Sequence, residues 1–341
     1  MNTAVLIADR DEKMRDALKH ILCGTYQVFA AGSLNDVHRI IEAEHSRISA
    51  VIIDLSVLKG TDTSLIKDIK SSPLNDDVPI FIVCTFSDIA TILNFFNEGI
   101  TDFIFKPFDK DVILQRLKTF IDIYRGNLDR GVFGHKSERL TVLFGDVVHA
   151  RSLESSEHIQ RVKKLTRIIA EDIKKHYPQY ALSDRDVDNI VSASAMHDVG
   201  KILIPDDILL KPTKLTPNEF EVMKTHTTKG CELLEEARGI WGDEYTDICK
   251  DIALYHHERY DGNGYPYGLK GNEIPISAQI VSIADVYDAL INQRVYKAPV
   301  IQSETYNMII SGQCGKFSDI LLDSFKRQIK NLEEISENEK K

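Results

Sequence analysis

The chain has 341 residues, of which 43% are hydrophobic and 28% charged, with a formal net charge of −10. At about 150 residues per domain this fits two ordinary cores and excludes wholesale disorder and fibrous repeats. The acidic balance argues against an extended DNA-binding surface, and no run of about 18 apolar residues is present to insert into a membrane.

Val5-Leu6-Ile7-Ala8 reads as a strand, followed by a helix over Glu12 to Leu22. Val28-Phe29-Ala30, a helix from Leu34 to Glu44, and Ala50-Val51-Ile52-Ile53 come next. A Leu65 to Ile69 helix, Pro79 to Val83, an Ile89 to Glu98 helix, Asp102 to Phe105 and a Lys110 to Tyr124 helix complete the set. Short apolar strands alternating with amphipathic helices predict a doubly wound α/β domain, its parallel sheet covered on both faces, over residues 1–125. Gly126 to Gly134 is rich in glycine and charge and reads as a hinge, so residues 126–150 form a linker and the start of the next domain. Residues 151–330 read as all-α. Ser183 with Asp186 caps a helix through Met196, and Thr216-Pro217 with Glu219 starts another over Phe220 to Lys224. Gly262 to Pro275 is a long loop, and the charged tail 331–341 reads as frayed. Cys23, Cys84, Cys231, Cys249 and Cys314 form no C-x-x-C pair, which suits a reducing compartment. With no basic leader before an apolar segment, the predicted location is cytoplasmic.

In a doubly wound sheet the carboxyl ends of the strands share one crevice. Asp9, Asp54, Thr85 and Lys106 each stand at such an end. Two carboxylates, a hydroxyl and a lysine suit an aspartate that accepts a phosphoryl group near Mg²⁺. The alternative reading, solvated loop residues and a helix cap, leaves their common order unexplained. These pieces, with Lys106-Pro107-Phe108, resemble the receiver domain of bacterial response regulators over Ala4 to Arg125. The resemblance implies Asp54 as phosphoacceptor and a histidine kinase as partner. It departs at Arg10, where the family carries a second acid that ligates magnesium. A guanidinium cannot ligate a cation. Asp11 lies one residue further on. The expectation is weak Mg²⁺ binding and impaired phosphorylation. Receivers of this kind commonly pair, which implies a homodimer.

The helical half carries a second constellation. Glu154 and His158 are one turn apart on a predicted helix. His197-Asp198 follow an apolar helix, His226 lies beyond the capped Phe220 helix, and His256-His257 precede the glycine-rich loop. Asp285 sits inside an apolar helix from Ile280 to Leu290, with Asp288 three residues later. Taken singly, Glu154, His158 and His226 read as surface or helix-end residues, but an acid inside an apolar helix needs a partner. Five histidines and three acids exceed one tetrahedral site and fit two or three bridged octahedral cations. Nitrogen and oxygen ligands without thiolate favour iron or manganese. Two such ions suit phosphodiester hydrolysis, with Lys201 near the pair and Arg294 and Lys297 available to a phosphate.

This half resembles the HD-GYP family of the HD phosphohydrolase superfamily from about Leu153 to Phe317. The stretches that carry the likeness are His197-Asp198-Val199-Gly200-Lys201, His256-His257-Glu258-Arg259-Tyr260-Asp261-Gly262, Gly264-Tyr265-Pro266, Ile274-Pro275 and Ala284 to Leu290. The resemblance implies hydrolysis of cyclic di-GMP to the linear dinucleotide pGpG, continuing to GMP in some members. It assigns His197 and Asp198 to the histidine–aspartate pair, with Asp198 bridging metals. His158, His226, His256, His257 and Asp285 match further ligands, and Glu154 matches an acid tied to a third metal. Lys201, Tyr265, Arg294 and Lys297 match residues that meet the substrate. A preference for a mixed cyclic dinucleotide, and a binding module without turnover, are the two other functions this pattern allows. The family often has Phe-Asp-Pro where this chain has Phe317-Ser318-Asp319, outside the metal set.

Overall fold

Four short segments of the first half bury almost every side chain, and burial on both faces is what a covered parallel sheet requires. The computed structural model describes residues 3–58, 63–72, 78–85, 88, 95, 98–125, 156–292 and 300–338. It divides the chain into two units, residues 1–143 and 144–341. In the first unit the strands are β1 (Ala4–Ala8), β2 (Gln27–Ala31), β3 (Ile48–Asp54), β4 (Ile80–Cys84) and β5 (Asp102–Phe105). They pair in parallel in the order β2-β1-β3-β4-β5. The order reverses direction beside β1, so the crevice at the strand ends opens between β1 and β3.

The helices of this unit are α1 (Glu12–Leu22), α2 (Leu34–Glu44), α3 (Ser64–Ser71) and α4 (Lys110–Tyr124). Asp11 caps α1, its carboxylate accepting from the Lys13 N–H at 2.9 Å, and Asp109 caps α4 in the same way. Val5, Ile7, Ile52, Phe81 and Val83 pack with Leu18, Leu22, Leu117 and Phe120 into one core. The expected Ile89 to Glu98 helix lies almost wholly outside the described residues, as does the Gly126 to Gly134 hinge.

The second unit is helical: α5 (Ser156–His176), α6 (Asp184–Ala193), α7 (Pro217–Lys224), α8 (His226–Glu236), α9 (Asp243–Tyr255), α10 (Ile276–Ile291), α11 (Gln302–Ser311) and α12 (Asp319–Asn338). Both expected capping boxes form, Ser183 with Asp186 and Thr216 with Glu219. Helix α10 is apolar nearly all round and buried nearly all round, as a helix with no free face must be. Its Ile280, Ile283 and Tyr287 join Leu165 and Ile169 of α5 and Phe325 and Leu332 of α12 in the core.

The structure departs from the sequence expectation at two places in this unit. The apolar run to Met196 is not one helix: α6 stops at Ala193 and a 3₁₀ turn covers Ser194–Met196. That tighter winding re-aims the residues after it, His197 and Asp198. The tail is not frayed from 331, because α12 continues to Asn338 and buries Leu332 in the core. Among the described residues no helix is long and apolar enough to cross a membrane.

Candidate metal centre

Three histidines of the second unit come from separate elements but share one device. His197 Nδ1 lies 2.8 Å from the Ser194 carbonyl, His226 Nδ1 2.7 Å from that of Met223, and His256 Nδ1 2.9 Å from that of Ile252. A carbonyl oxygen only accepts, so in each ring the proton sits on Nδ1 and Nε2 presents a lone pair. His158 obeys the same rule through a side chain. Its Nδ1 donates to Asp288 Oδ2 at 2.7 Å.

The Nε2 atoms converge on two carboxylates. Asp198 Oδ1 is 3.2 Å from His226 Nε2 and 3.8 Å from His256 Nε2, and Asp198 Oδ2 is 3.1 Å from His197 Nε2. Asp285 Oδ1 lies 3.8 Å from His158 Nε2 and 3.9 Å from His197 Nε2. Asp198, His226, His256 and His257 form one group and His158, His197 and Asp285 a second; within each, the ligand atoms lie within 4.8 Å of one another. Nε2 of His226 and of His256 and Oδ1 of Asp198 are buried with no hydrogen-bond partner. Lone pairs facing lone pairs in a buried site are costly unless a cation lies between them. The cluster can therefore hold divalent metal.

Protonation states agree with this. Burial pushes the His256 pKa down to about 3 and holds His257 well below the ordinary histidine range, so both rings are neutral near pH 7. Burial works to raise the Asp198 pKa, but the Lys201 ammonium at 2.6 Å and the facing His197 and His226 rings together outweigh it, and the carboxyl stays ionised.

Glycine lets these segments approach. A Cβ on Gly200 would stand 1.9 Å from the His226 carbonyl oxygen, so only glycine lets the 3₁₀ turn Val199–Leu203 lie against the start of α8. In the following loop a Cβ on Gly264 would meet Arg259 N at 2.3 Å. Glu258, itself buried, accepts from the N–H groups of Tyr267, Gly268 and Leu269. This pins the loop that carries Tyr265, whose ring stacks on His257 with centroids 4.6 Å apart.

Every proposed ligand within the described residues is in the cluster. Glu154, Arg294 and Lys297 lie outside the described residues. Sequence reasoning did not assign the support behind the ligands. Arg161 Nε donates to Asp288 Oδ1 at 2.6 Å and Asn292 Nδ2 to the same oxygen at 2.9 Å, so Asp288 is held as a carboxylate that orients His158. The available signal for Asp288 was spacing, three residues after Asp285.

In the first unit, Asp9 and Asp54 are buried at the ends of β1 and β3, and Lys106 Nζ is 2.5 Å from Asp54 Oδ2. Burial raises the Asp9 pKa, with the Asp54 charge adding to it. Arg10 is exposed. Asp11 is engaged as the α1 cap. Thr85 is exposed and its hydroxyl donates to Asp88 at 2.6 Å. The crevice therefore gathers Asp9, Asp54 and Lys106, with Thr85 turned to Asp88.

Comparison with known proteins agrees with both halves. A response regulator receiver domain model matches residues 5–118, and an HD domain model matches residues 153–317. A cyclic di-GMP phosphodiesterase of Thermotoga maritima is 30% identical over 98% of this chain and 93% of its own. This chain belongs to the HD-domain response regulators. A probable cyclic di-GMP phosphodiesterase of Vibrio cholerae is 32% identical over 85% of this response regulator and 70% of its own length. A 3′3′-cGAMP-specific phosphodiesterase of the same organism is 41% identical over 48% of the chain and 29% of its own.

Proposed function

We propose that this HD-domain response regulator is a cyclic di-GMP phosphodiesterase of the HD-GYP type, controlled by its receiver domain. Its product is pGpG, with GMP following from a second cleavage. The observation that carries the reading is the convergence of buried imidazole Nε2 atoms on Asp198 and Asp285, with no thiolate among them. The ligand set suits two or three ions, iron or manganese, with Glu154 assigned to the third. When bound, such ions activate a water and offset charge on the phosphate oxygens.

The chain's own residues do the rest. Asp198 presents Oδ1 to His226 and His256 and Oδ2 to His197, the arrangement of a bridging carboxylate. Asp288 and the backbone carbonyls hold the imidazoles of His158, His197, His226 and His256 in the tautomer that presents Nε2. Lys201, beside Asp198, is assigned to a phosphate oxygen, as are Arg294 and Lys297 beyond α10. Tyr265, on the pinned loop, forms a wall of the substrate pocket. In the receiver, Asp54 is assigned as phosphoacceptor from a histidine kinase, with weak Mg²⁺ binding beside Asp9. The reading carries with it a cytoplasmic homodimer.

A second reading, preference for a mixed cyclic dinucleotide, is favoured by the 41% identity to the 3′3′-cGAMP-specific relative. The test is competition. Protein loaded with Fe²⁺ or Mn²⁺ is given equal cyclic di-GMP and 3′3′-cGAMP, and products are separated by chromatography. Faster loss of cyclic di-GMP supports the first reading, and faster loss of the mixed dinucleotide replaces it with the second.

A further inference from the structure

Beside the metal ligands stands an aromatic patch of which the reaction as proposed uses only Tyr265. Helix α7 is anchored at its start by the capping box and by Lys211, whose Nζ donates to Glu219 at 2.6 Å. That anchoring fixes Phe220 early in the helix and Lys224 at its end, two residues before His226. Phe220 is 46% exposed. A single exposed ring needs no explanation, but this one is continuous with the site. Its centroid lies 6.3 Å from that of Tyr265, at 81°, and Tyr265 in turn stacks on His257. The Lys224 ammonium sits over both rings, 5.7 Å from Phe220 and 5.8 Å from Tyr265, and pairs with Glu221 at 2.8 Å. A run of rings thus leads from a proposed metal ligand to solvent, with one cation above it.

We propose that Phe220 and Lys224 form the base-recognition platform of this enzyme, Phe220 stacking a guanine and Lys224 reading its O6 and N7. The inference rests on the cyclic dinucleotide reading and names what selects the base. Every nucleobase offers a π-face, so stacking supplies affinity without choice. Choice comes from the edge. Guanine presents two acceptors there, whereas adenine replaces O6 with an amino donor. An ammonium has three donors and no acceptor, so it favours guanine and disfavours adenine.

The test uses the full metal-loaded chain and the variants Phe220→Ala, Phe220→Tyr and Lys224→Met. KM and kcat are measured on cyclic di-GMP and 3′3′-cGAMP, and GMP and AMP affinities by calorimetry. Phe220→Ala should raise KM for cyclic di-GMP about tenfold, with kcat and metal content within about twofold of wild type. Phe220→Tyr should restore KM. Lys224→Met should erase a preference for GMP over AMP of about fivefold or more. Unchanged KM and GMP affinity in Phe220→Ala would overturn the platform. So would an intact guanine preference in Lys224→Met, or loss of metal and kcat in both Phe220 variants. If wild type turns over neither dinucleotide, the phosphodiesterase reading fails separately, and the GMP and AMP titrations still decide the platform.

Discussion

Asp288 accepts from His158 Nδ1 and so selects which nitrogen of that ring faces Asp285. Burial works to raise its pKa, and the hydrogen bonds from His158 and Arg161 overcome this and hold it below the ordinary carboxylate range. An amide in its place could present a donor to Nδ1 and favour the other tautomer. We expect Asp288→Asn to weaken metal affinity about 10–100-fold while the fold persists. Metal titration with circular dichroism on the same samples checks this, and unchanged affinity would remove Asp288 from the centre's support.

Among the elements, the Val199–Leu203 turn lies tight against α8. Gly200→Ala forces a methyl group against a backbone carbonyl, and the carbonyl belongs to His226. We expect a stability loss of about 2–3 kcal/mol together with lost metal, measured by thermal unfolding and metal analysis. The α5–α12 contact adds a polar pair to its apolar core. Buried Asp172 accepts from Arg327 at 2.6 Å and from Gln328 at 2.8 Å. Burial raises its pKa, and these hydrogen bonds more than offset that, leaving it lowered. A depressed folded pKa means the carboxylate's contribution is complete above the unfolded value of about 3.9 and is lost as pH falls through the folded one. Asp172→Asn should cost about 1–2 kcal/mol at pH 7, allowing for the partly exposed arginine, and should flatten the acid limb of stability against pH. An unchanged acid limb would contradict the assignment.

These elements also show what a sequence can reveal. Strands β1 to β5, the caps of α6 and α7, and the ligands from His158 to Asp285 all carry local signals: apolar runs, capping boxes, and polar residues in apolar settings. The break at Ser194 carries none, because a 3₁₀ turn and an α-helix bury the same apolar residues. Arg161, Asn292 and Glu258 were illegible for a different reason. Their partners are fixed by tertiary packing, and an arginine, an amide or a glutamate near a helix end reads as solvated until its acceptor is known.

At the scale of the whole molecule, the question is whether the receiver still takes a phosphoryl group. Asp54 is paired with Lys106, Asp9 is buried beside it, and the second acid is replaced by exposed Arg10. Asp11, the next acid, is engaged in capping α1. We expect weak labelling by a small phosphodonor in Mg²⁺, partial recovery in Arg10→Asp, and none in Asp54→Ala, read by intact mass. Efficient wild-type labelling that disappears in Asp54→Ala would restore ordinary receiver control.

The buried histidine–aspartate cluster is proposed to hydrolyse cyclic di-GMP. The most direct test of that proposal is turnover by anaerobically loaded protein, with bound Fe²⁺ or Mn²⁺ counted in the same sample and Asp198→Ala alongside. We expect pGpG from wild type, and from Asp198→Ala neither product nor full metal occupancy. Full occupancy in wild type with no product under either metal, or normal turnover in Asp198→Ala, would contradict it.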